Sequence, residues 1–297
     1  MEYSKLPDLT ALVTLKEVVE RGGVNEAAGL LNVGQPAVTK RLRALDVIYD
    51  THLMERVGGR LQLTETGKQV YQYAVQAIES HVALEKNLAN HKLGRRTLRL
   101  EVTMAIGEHF LSEWLVNFAD SHPEYRVESR LAYGRVIEPH LATGQIDLAV
   151  LENAPDHPDI LVQQWRQDEI VLICGANHPI AGQELLLKEE LPALTYVLRE
   201  KNAAIREHMD NAIATEGLKD LNISMEVGST AAIIDILLRG RHVSFLPWFA
   251  IAAHVQAGSL VYIPVSHFRI LRTLWIARNR MHLHHPVAEA FISMLRE

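Results

Sequence analysis

The sequence predicts a chain of two unlike parts: an all-α winged helix-turn-helix domain with a long linker helix, and then an α/β domain. Three observations support this division. Two short amphipathic helices meet at a tight turn within residues 24–46, apolar residues recur at spacings of four and three over residues 70–88, and strand-like and helix-like patterns alternate after residue 93. A chain of 297 residues, 48% of them hydrophobic, suffices for about two domains with sizeable cores.

Composition and charge narrow the classes of protein to consider. The net charge is −6, and residues 1–92 hold 11 basic and 11 acidic side chains, so bulk charge does not indicate nucleic-acid binding. No run of about 18 apolar residues predicts a membrane span. The first residues lack the pattern of a signal peptide, so we expect a cytoplasmic protein. Cys174 is the single cysteine, which excludes an internal disulfide.

The most informative stretch is a pair of short helices joined by a turn. The first helix covers residues 25–31, with Ala27, Ala28, Leu30 and Leu31 on its buried face. The turn falls at residues 32–34, where Asn and Gly relieve the backbone. An earlier amphipathic helix, over residues 9–19, would close a three-helix core with this pair.

The second helix of the pair carries residue types that contact DNA. Pro36 is tolerated near its start because the missing N–H falls in the first turn. The positions that point inward are Val38, Leu42 and Leu45. Side chains that can reach base edges and phosphates point outward. With Pro36 they form the predicted DNA-facing set: Gln35, Pro36, Thr39, Lys40 and Arg43. An ordinary helical hairpin with a solvated basic face is the alternative.

A short hairpin follows the second helix of the pair. Two extended pieces within residues 53–64 flank a Gly-Gly pair at 58–59, which predicts two strands and a tight turn. Arg56 and Arg60 would lie at the tip of this wing, within reach of phosphates or the minor groove. Thr64 is predicted to cap the next helix and to contact DNA.

The long helix predicted over residues 64–92 would extend roughly 40 Å. Its apolar residues form a heptad seam, which is typical of a helix that pairs with a second copy. The predicted dimerisation residues are Val70, Ala74, Ala77, His81, Leu84 and Leu88. Packing of the same stripe against its own domain is the alternative.

Beyond a hinge at residues 92–96, strands and helices alternate, which predicts a parallel-rich α/β domain. The predicted strands are residues 98–103, 126–133, 147–151, 170–174, 223–227, 243–246 and 274–277. The predicted helices are residues 107–121, 136–143, 203–216, 230–239, 248–257 and 286–295.

The N-terminal motifs resemble the signature of LysR-type transcriptional regulators in order and spacing. The matching segments are Ala27-Ala28, Val33-Gly34-Gln35-Pro36-Ala37-Val38-Thr39, Leu45-Asp46, Leu53-Met54-Glu55-Arg56 and Leu63-Thr64-Glu65-Thr66-Gly67. The resemblance implies a sequence-specific regulator with a two-lobed effector domain like that of periplasmic binding proteins. It also implies a homo-oligomer, a dimer of dimers, on double-stranded promoter DNA, with a contact to RNA polymerase left open.

The resemblance also implies domain boundaries. The implied parts are a DNA-binding domain (1–63), a dimerising linker helix (64–92) and an effector domain (93–297), with lobe I at about 95–165 and 269–297 and lobe II at about 166–268. Three positions depart from the family's pattern. Gly34 replaces a serine and loses a hydroxyl, Met54 replaces a phenylalanine, and Asp50 replaces a glycine but tolerates a left-handed backbone.

Two segments of the effector domain resemble the branch of the family tied to sulfur and inorganic-carbon assimilation. They are residues 106–111 and 199–206. In the second segment, a Gly-Ser-Gly-Thr core that would present amides to a small anion is replaced by Asn-Ala-Ala-Ile at 202–205, while Arg206 remains. We therefore expect an effector that differs from the oxyanions of that branch.

Ligands of open α/β lobes lie at strand C-termini and helix N-termini. Helix N-termini favour carboxylate or phosphate, so we expect a small anionic metabolite, and the apolar neighbours favour an organic acid. The predicted effector residues are Thr103, Met104, Ala105, Ile106, Asn202, Ala203, Ser229, Thr230 and Phe245. Helix capping alone is an equal alternative for Thr103, Ser229 and Thr230.

Other candidate sites are weaker. Cys174 lies in an apolar strand, which favours a core thiol over a redox sensor. No thiolate or nearby carboxylate joins the histidines at 282, 284 and 285, so no metal is expected, and Asp147 is predicted to be structural. No nucleophile or phosphate-loop motif predicts an enzyme, and no cofactor is expected. An enzyme, a solute-binding protein and a regulator without an effector remain the alternatives.

Overall fold

The computed structural model describes residues 6–57, 60–92, 96–218, 221–280 and 285–296. The chain divides into two compact units, Met1–Ala89 and Asn90–Glu297. The helices are α1 Leu9–Arg21, α2 Val24–Leu30, α3 Gln35–Tyr49, α4 Glu65–Lys92, α5 Met104–Ser121, α6 Gly134–Ala142, α7 Ala204–Thr215, α8 Thr230–Arg239, α9 Trp248–Gln256 and α10 Pro286–Arg296. Within the described residues, no helix is both long and apolar enough to span a bilayer.

The strands form one small and one large sheet. They are β1 Met54–Val57, β2 Arg60–Leu63, β3 Thr97–Thr103, β4 Arg126–Ala132, β5 Leu148–Leu151, β6 Ile160–Gly175, β7 Thr195–Arg199, β8 Asn222–Val227, β9 Val243–Pro247, β10 Leu260–Tyr262 and β11 Ile270–Asn279. The antiparallel pair β1–β2 confirms the hairpin of the wing. Its predicted Gly-Gly turn at 58–59 lies outside the described residues, as do residues 93–95 of the predicted hinge.

The first unit has its core between α1, α3 and the start of α4. Leu12 and Leu15 of α1 meet Leu45 of α3 there, while Val38 packs with Ala27 in an adjoining cluster. The predicted inward positions of α1 and α3 lie in these clusters, but Leu30 of α2, predicted to be buried, is 49% exposed.

Two backbone positions explain residues of the N-terminal motifs. Asp50 ends α3 with φ of 50°, so an aspartate does take the left-handed conformation expected where the family's pattern has glycine. A Cβ on Gly67 would lie 1.9 Å from the carbonyl oxygen of Leu53, so α4 can begin this close to the wing only with glycine there.

The second unit is built on a single twisted sheet that serves two lobes. The strand order is β4-β3-β5-β11-β6-β9-β7-β8, with β10 paired to β6. The long antiparallel pair β6–β11 lies in the middle and shifts register between Leu274 and Trp275. One half of this pair joins β5, and the other half joins β9 and β10. The two crossover strands therefore link a lobe built on β3–β5 to a lobe built on β7–β10.

Each lobe has its own core. In lobe I, Phe118 of α5 and Phe291 of α10 pack against β3 and β11, so the C-terminal helix returns to the first lobe as expected. In lobe II, a larger cluster surrounds Tyr196, Phe245 and Leu246. The sequence analysis missed β7 and β10 and shortened β6 to its buried end. The first half of β6 alternates exposed and partly buried residues because it faces solvent on one side, so it lacks an apolar run.

Asp147 is structural, as predicted. Its carboxylate accepts hydrogen bonds from the Arg99 guanidinium, Nε at 3.0 Å and Nη2 at 2.6 Å, and from the Arg99 backbone N–H. Both residues are buried. The pair fixes the start of β5 beside β3 in lobe I.

We expect Asp147→Ala to lower the free energy of unfolding by about 3–5 kcal/mol, because it leaves the buried Arg99 guanidinium without its carboxylate. Urea unfolding followed by circular dichroism measures the loss. Asp120→Ala, an exposed change on α5, should stay within about 0.5 kcal/mol of the wild type. Equal stabilities of the two variants would contradict a structural role for the pair.

Cys174 is fully buried in β6, and burial raises the pKa of its thiol to about 11. We expect the folded protein to resist thiol reagents at about pH 8 and to react with one equivalent once unfolded in urea, because the thiolate is the reactive form. A colorimetric thiol assay measures both states. Rapid modification of the folded chain would show that the strand opens.

Candidate DNA-binding and effector sites

The exposed edge of α3 brings the predicted DNA-facing residues together. All five of them border one shallow depression of about 380 Å³. Gln35, Lys40 and Arg43 are exposed, and within the described residues neither Lys40 nor Arg43 has an ion-pair partner. Two cations without a carboxylate at an exposed helix edge can form ion pairs with phosphates.

The start of α3 shows the effect of the serine-to-glycine departure. Gly34 is the N-cap residue, and no side chain caps the helix there. Thr39 donates its hydroxyl to the carbonyl oxygen of Gln35 at 3.1 Å, so this hydroxyl keeps its lone pairs for another donor. The first amides of α3 are thus free of a side-chain acceptor at the edge where a phosphate would bind.

The end of α3 is tied to the wing. Asp46 accepts the backbone N–H of Leu53 at 3.0 Å and lies 3.0 Å from Nδ1 of His52. Arg56 is exposed on β1, while Arg60 lies on β2 with its side chain outside the described part. These contacts of Asp46 therefore fix the position of the first residues of the wing relative to the end of α3.

Thr64 has a structural role that leaves little of its side chain for DNA. Its hydroxyl donates to the carbonyl oxygen of His52 at 2.9 Å and accepts the N–H of Gly67 at 3.0 Å. The prediction that Thr64 caps α4 is confirmed. Its assignment to DNA contact stays a prediction, and the two hydrogen bonds within the unit already use the hydroxyl's donor and one of its lone pairs.

The predicted seam of α4 divides into two halves. Val70 and Ala74 are buried in the core of their own unit and Ala77 packs against it, so these three are corrected from partner contacts to domain core. His81, Leu84 and Leu88 are exposed, the two leucines by more than half. Only the second half of the seam is available to a second copy.

Away from the crossover strands, side-chain hydrogen bonds link the two lobes of the effector domain across four pairs of described residues. Each joins a lobe I residue to a lobe II residue, and together we call them the lobe bridge. The pairs are Glu108 with Thr230 (3.0 Å), Tyr133 with Glu200 (2.8 Å), Arg135 with Asn202 (2.9 Å) and Asn153 with Glu207 (3.1 Å). The cleft between the lobes is therefore spanned by the chain's own polar groups.

Arg199 is the central cation of this region. Its guanidinium donates to both carboxylate oxygens of Glu200 at 2.9 Å and to the hydroxyl of Thr230 at 3.1 Å. Burial opposes its charge, but Glu200 and the nearby charges of Glu108 and Glu152 outweigh burial, so the pKa of Arg199 is raised. Burial likewise acts to raise the pKa of Glu200, yet its hydrogen bonds with Arg199 hold that pKa below the usual value.

The base of the cleft holds a second buried cation on the crossover strands. Arg272 of β11 donates to Glu152 at 2.6 Å and to Asp168 at 2.9 Å, with all three side chains buried. His208 of α7 lies nearby. Burial, and then the charge of Arg272, lower the pKa of its imidazole. This cluster connects both lobes to the crossover strands.

The structure separates the nine predicted effector residues. Two of them take part in the lobe bridge. Thr230 donates its backbone N–H to Glu108, and the side chain of Asn202 accepts a hydrogen bond from Arg135. The Ser229 hydroxyl accepts the N–H of Ala232, which is the capping alternative. Thr103 is the N-cap residue of α5 without a cap bond, and its buried hydroxyl has no hydrogen-bond partner in the described chain. Met104 is half-buried at the start of α5.

The apolar members of the predicted set are corrected to core residues. Ile106 belongs to the core of lobe I and Ala203 to that of lobe II, and Ala105 is also buried. Phe245 stacks on Tyr196 in lobe II with ring centroids 6.0 Å apart. These side chains fill space inside the lobes.

The sequence analysis missed the residues that complete the lobe bridge: Tyr133, Arg135, Asn153, Glu200, Glu207 and Glu108. Two signals were available. Glu108 lies in the 106–111 segment and Glu200 in the 199–206 segment, both noted for their resemblance to one branch of the family. A charged residue within such a segment, one position from a predicted helix N-terminus, is a reasonable candidate for the cleft.

Of the three clustered histidines, His285 lies within the described residues, among which no group of three or more His, Cys, Asp or Glu side chains could hold a metal ion. Nδ1 of His285 accepts the N–H of Ala288 at 3.3 Å at the start of α10, so this imidazole caps a helix. The other two histidines, at 282 and 284, lie outside the described residues.

Comparison with known proteins identifies both parts of the chain. Residues 9–68 match the family model of the bacterial regulatory helix-turn-helix protein of the lysR family, and residues 91–297 match that of the LysR substrate binding domain. A probable RuBisCO transcriptional regulator from Trichormus variabilis is 30% identical over 97% of this chain and 88% of its own length. The regulator YeiE of Escherichia coli K12 is 27% identical over 92% of this chain and 91% of its own.

Solved structures show the same fold. The full-length LysR family regulator CbnR in complex with its target DNA has a TM-score of 0.66 at 19% identity, covering 97% of this chain and 99% of its own. The regulatory domain of CcmR from Synechocystis in complex with 2-PG has a TM-score of 0.61 at 22% identity, covering 67% of this chain and 95% of its own.

The family model of the effector domain alone spans more than half of the chain, and the helix-turn-helix model covers most of the first unit. Members of this family are transcriptional regulators and not enzymes. The chain belongs to the LysR family, as a DNA-binding transcriptional regulator with an effector-binding domain.

Proposed function

We propose that this regulator reads promoter DNA with the exposed edge of α3, and that the wing contacts the backbone through Arg56 and Arg60. The observation that carries the proposal is the pair of cations Lys40 and Arg43, which have no ion-pair partner among the described residues, beside Gln35 and Thr39 at one depression. Gln and Arg supply the paired donors and acceptors that distinguish bases in the major groove. The target is a pseudo-palindromic promoter site, and the protein acts in the cytoplasm.

We propose further that the protein acts as a homo-oligomer, a dimer of dimers that RNA polymerase can meet at the promoter. The exposed second half of the α4 seam, with Leu84 and Leu88, supports pairing of two copies. A two-fold protein matches the two half-sites of such a promoter.

The inter-lobe cleft is the proposed site of a small anionic metabolite. The buried Arg199 guanidinium and the N-terminus of α8 lie there together, which is an arrangement that suits a carboxylate or phosphate. The CcmR regulatory domain, solved in complex with 2-PG, supports a small-molecule effector.

The lobe bridge favours a second candidate function, a regulator that works without a small-molecule effector. Its hydrogen bonds hold the lobes together through the chain's own residues. Such a protein would respond to a partner or to its own concentration.

Arg43→Ala should weaken specific promoter binding by about 1–3 kcal/mol, because it removes a side chain that donates to bases or phosphates. Gel-shift titration against the footprinted promoter and against random duplex of equal length measures affinity and selectivity. Arg241→Ala removes the same charge from an exposed loop of lobe II and should leave both unchanged. Unaltered binding by Arg43→Ala would contradict the proposed orientation of α3.

Thr230→Val should abolish the effector-dependent change of the promoter footprint, because it removes the hydroxyl that Arg199 contacts in the cleft. DNA affinity without metabolites should stay within about twofold of the wild type, which corresponds to roughly 0.4 kcal/mol. Thr215→Val, at the exposed end of α7, is the matched control. Footprinting with and without a panel of organic acids measures both, and a parallel loss of DNA affinity would assign Thr230 a structural role.

A further inference from the structure

The carboxylate of Glu108 lies where an anionic effector would bind. Glu108 extends from α5 of lobe I, and its Oε2 accepts the backbone N–H of Thr230, the first residue of α8 in lobe II, at 3.0 Å. Amides in the first turn of a helix have no partner within the helix and attract negative charge. The protein's own side chain thus satisfies one of these amides.

The side chains around this contact leave little positive charge for a second anion. The carboxylate of Glu200 accepts hydrogen bonds from Nε and Nη2 of Arg199, and the charges of Glu108 and Glu152 also act on the same guanidinium. Of these carboxylates, Glu200 pairs with Arg199 directly, while Glu152 pairs with the buried Arg272 and Glu108 accepts the Thr230 amide. A free anion entering beside Arg199 would have to displace Glu200 from the guanidinium or Glu108 from the Thr230 amide.

The same contact holds the lobes together. Three further hydrogen bonds of the lobe bridge span the cleft in parallel, through Tyr133, Arg135 and Asn153 of lobe I. Among the four, the contact of Glu108 is the one that reaches a backbone amide of a helix N-terminus. Loss of the Glu108 carboxylate would therefore remove a link between the lobes and would also leave the Thr230 amide without this acceptor.

We propose that Glu108 is a specificity-determining residue that occupies the anion position at the start of α8, so that it links the two lobes and excludes small inorganic anions. The inference rests on the proposed effector site, and it narrows the effector to a molecule that replaces the Glu108 carboxylate with a stronger set of contacts. Sulfate and phosphate alone do not meet that requirement.

The test measures hydrogen exchange of the segment 228–236 by mass spectrometry in the full-length protein, without and with sulfate or phosphate at constant ionic strength. Glu108→Ala removes the acceptor and the charge, and Glu108→Gln removes the charge but keeps an oxygen that can accept the Thr230 amide. Glu113→Ala changes an exposed glutamate of the same helix outside the lobe bridge and is the matched control.

Without added anion, Glu108→Ala should exchange faster in this segment, while Glu108→Gln and Glu113→Ala should match the wild type. With sulfate or phosphate, Glu108→Ala should regain protection at a concentration at least about fivefold below that required by the wild type and Glu113→Ala, and Glu108→Gln should show a smaller gain in the same direction.

Unchanged exchange in Glu108→Ala, or no gain in anion-dependent protection, would overturn the inference whatever the promoter does. If the gain appears but no small molecule alters the promoter footprint of any variant, the inference stands and the proposed effector regulation fails. Circular dichroism confirms that each variant is folded, which the exposure of both glutamates favours.

Discussion

The effector domain is organised around guanidinium groups that water does not reach. Arginine keeps its charge at any physiological pH, so each buried guanidinium requires carboxylates within hydrogen-bond distance. Arg99 fixes β5 within lobe I, Arg206 ties α7 to β8 in lobe II, Arg272 lies on the crossover strands, and Arg199 lies at the cleft. The first two make each lobe a unit, and the last two determine how the lobes meet.

This arrangement explains why the cleft differs from the simple helix-terminus site expected from the sequence. The carboxylates that neutralise Arg272 and Arg199 come from both lobes and from the crossover strands. A buried guanidinium is therefore neutralised by residues of more than one part of the domain. Glu152 serves Arg272 directly and also acts on Arg199. Through Glu152, the ion pairs of Arg272 at the base of the cleft are coupled electrostatically to Arg199 at the cleft. A ligand that alters the pairing of one arginine therefore alters the pairing of the other.

The parts that sequence reasoning predicted are those governed by local spacing. The buried and exposed faces of α3, the left-handed Asp50 and the cap at Thr64 follow from helical periodicity and from interactions within a few residues. The contact between Glu108 and Thr230 joins residues 122 positions apart, and no local pattern encodes it. Phe245 was misassigned for a related reason: an aromatic at a strand end can face a cleft or a core, and only the packing of lobe II decides.

Two independent features lead to the same conclusion about the effector. In the sequence, the segment at 202–205 lacks the small hydroxyl and glycine residues that would wrap an inorganic oxyanion. In the structure, Asn202 of that segment accepts a hydrogen bond from Arg135, and Glu108 occupies the amide at the start of α8. Each change alone would weaken a small anion site. Together they replace it with contacts between the lobes, so the energy that an oxyanion would gain from those donors is already used by the chain itself.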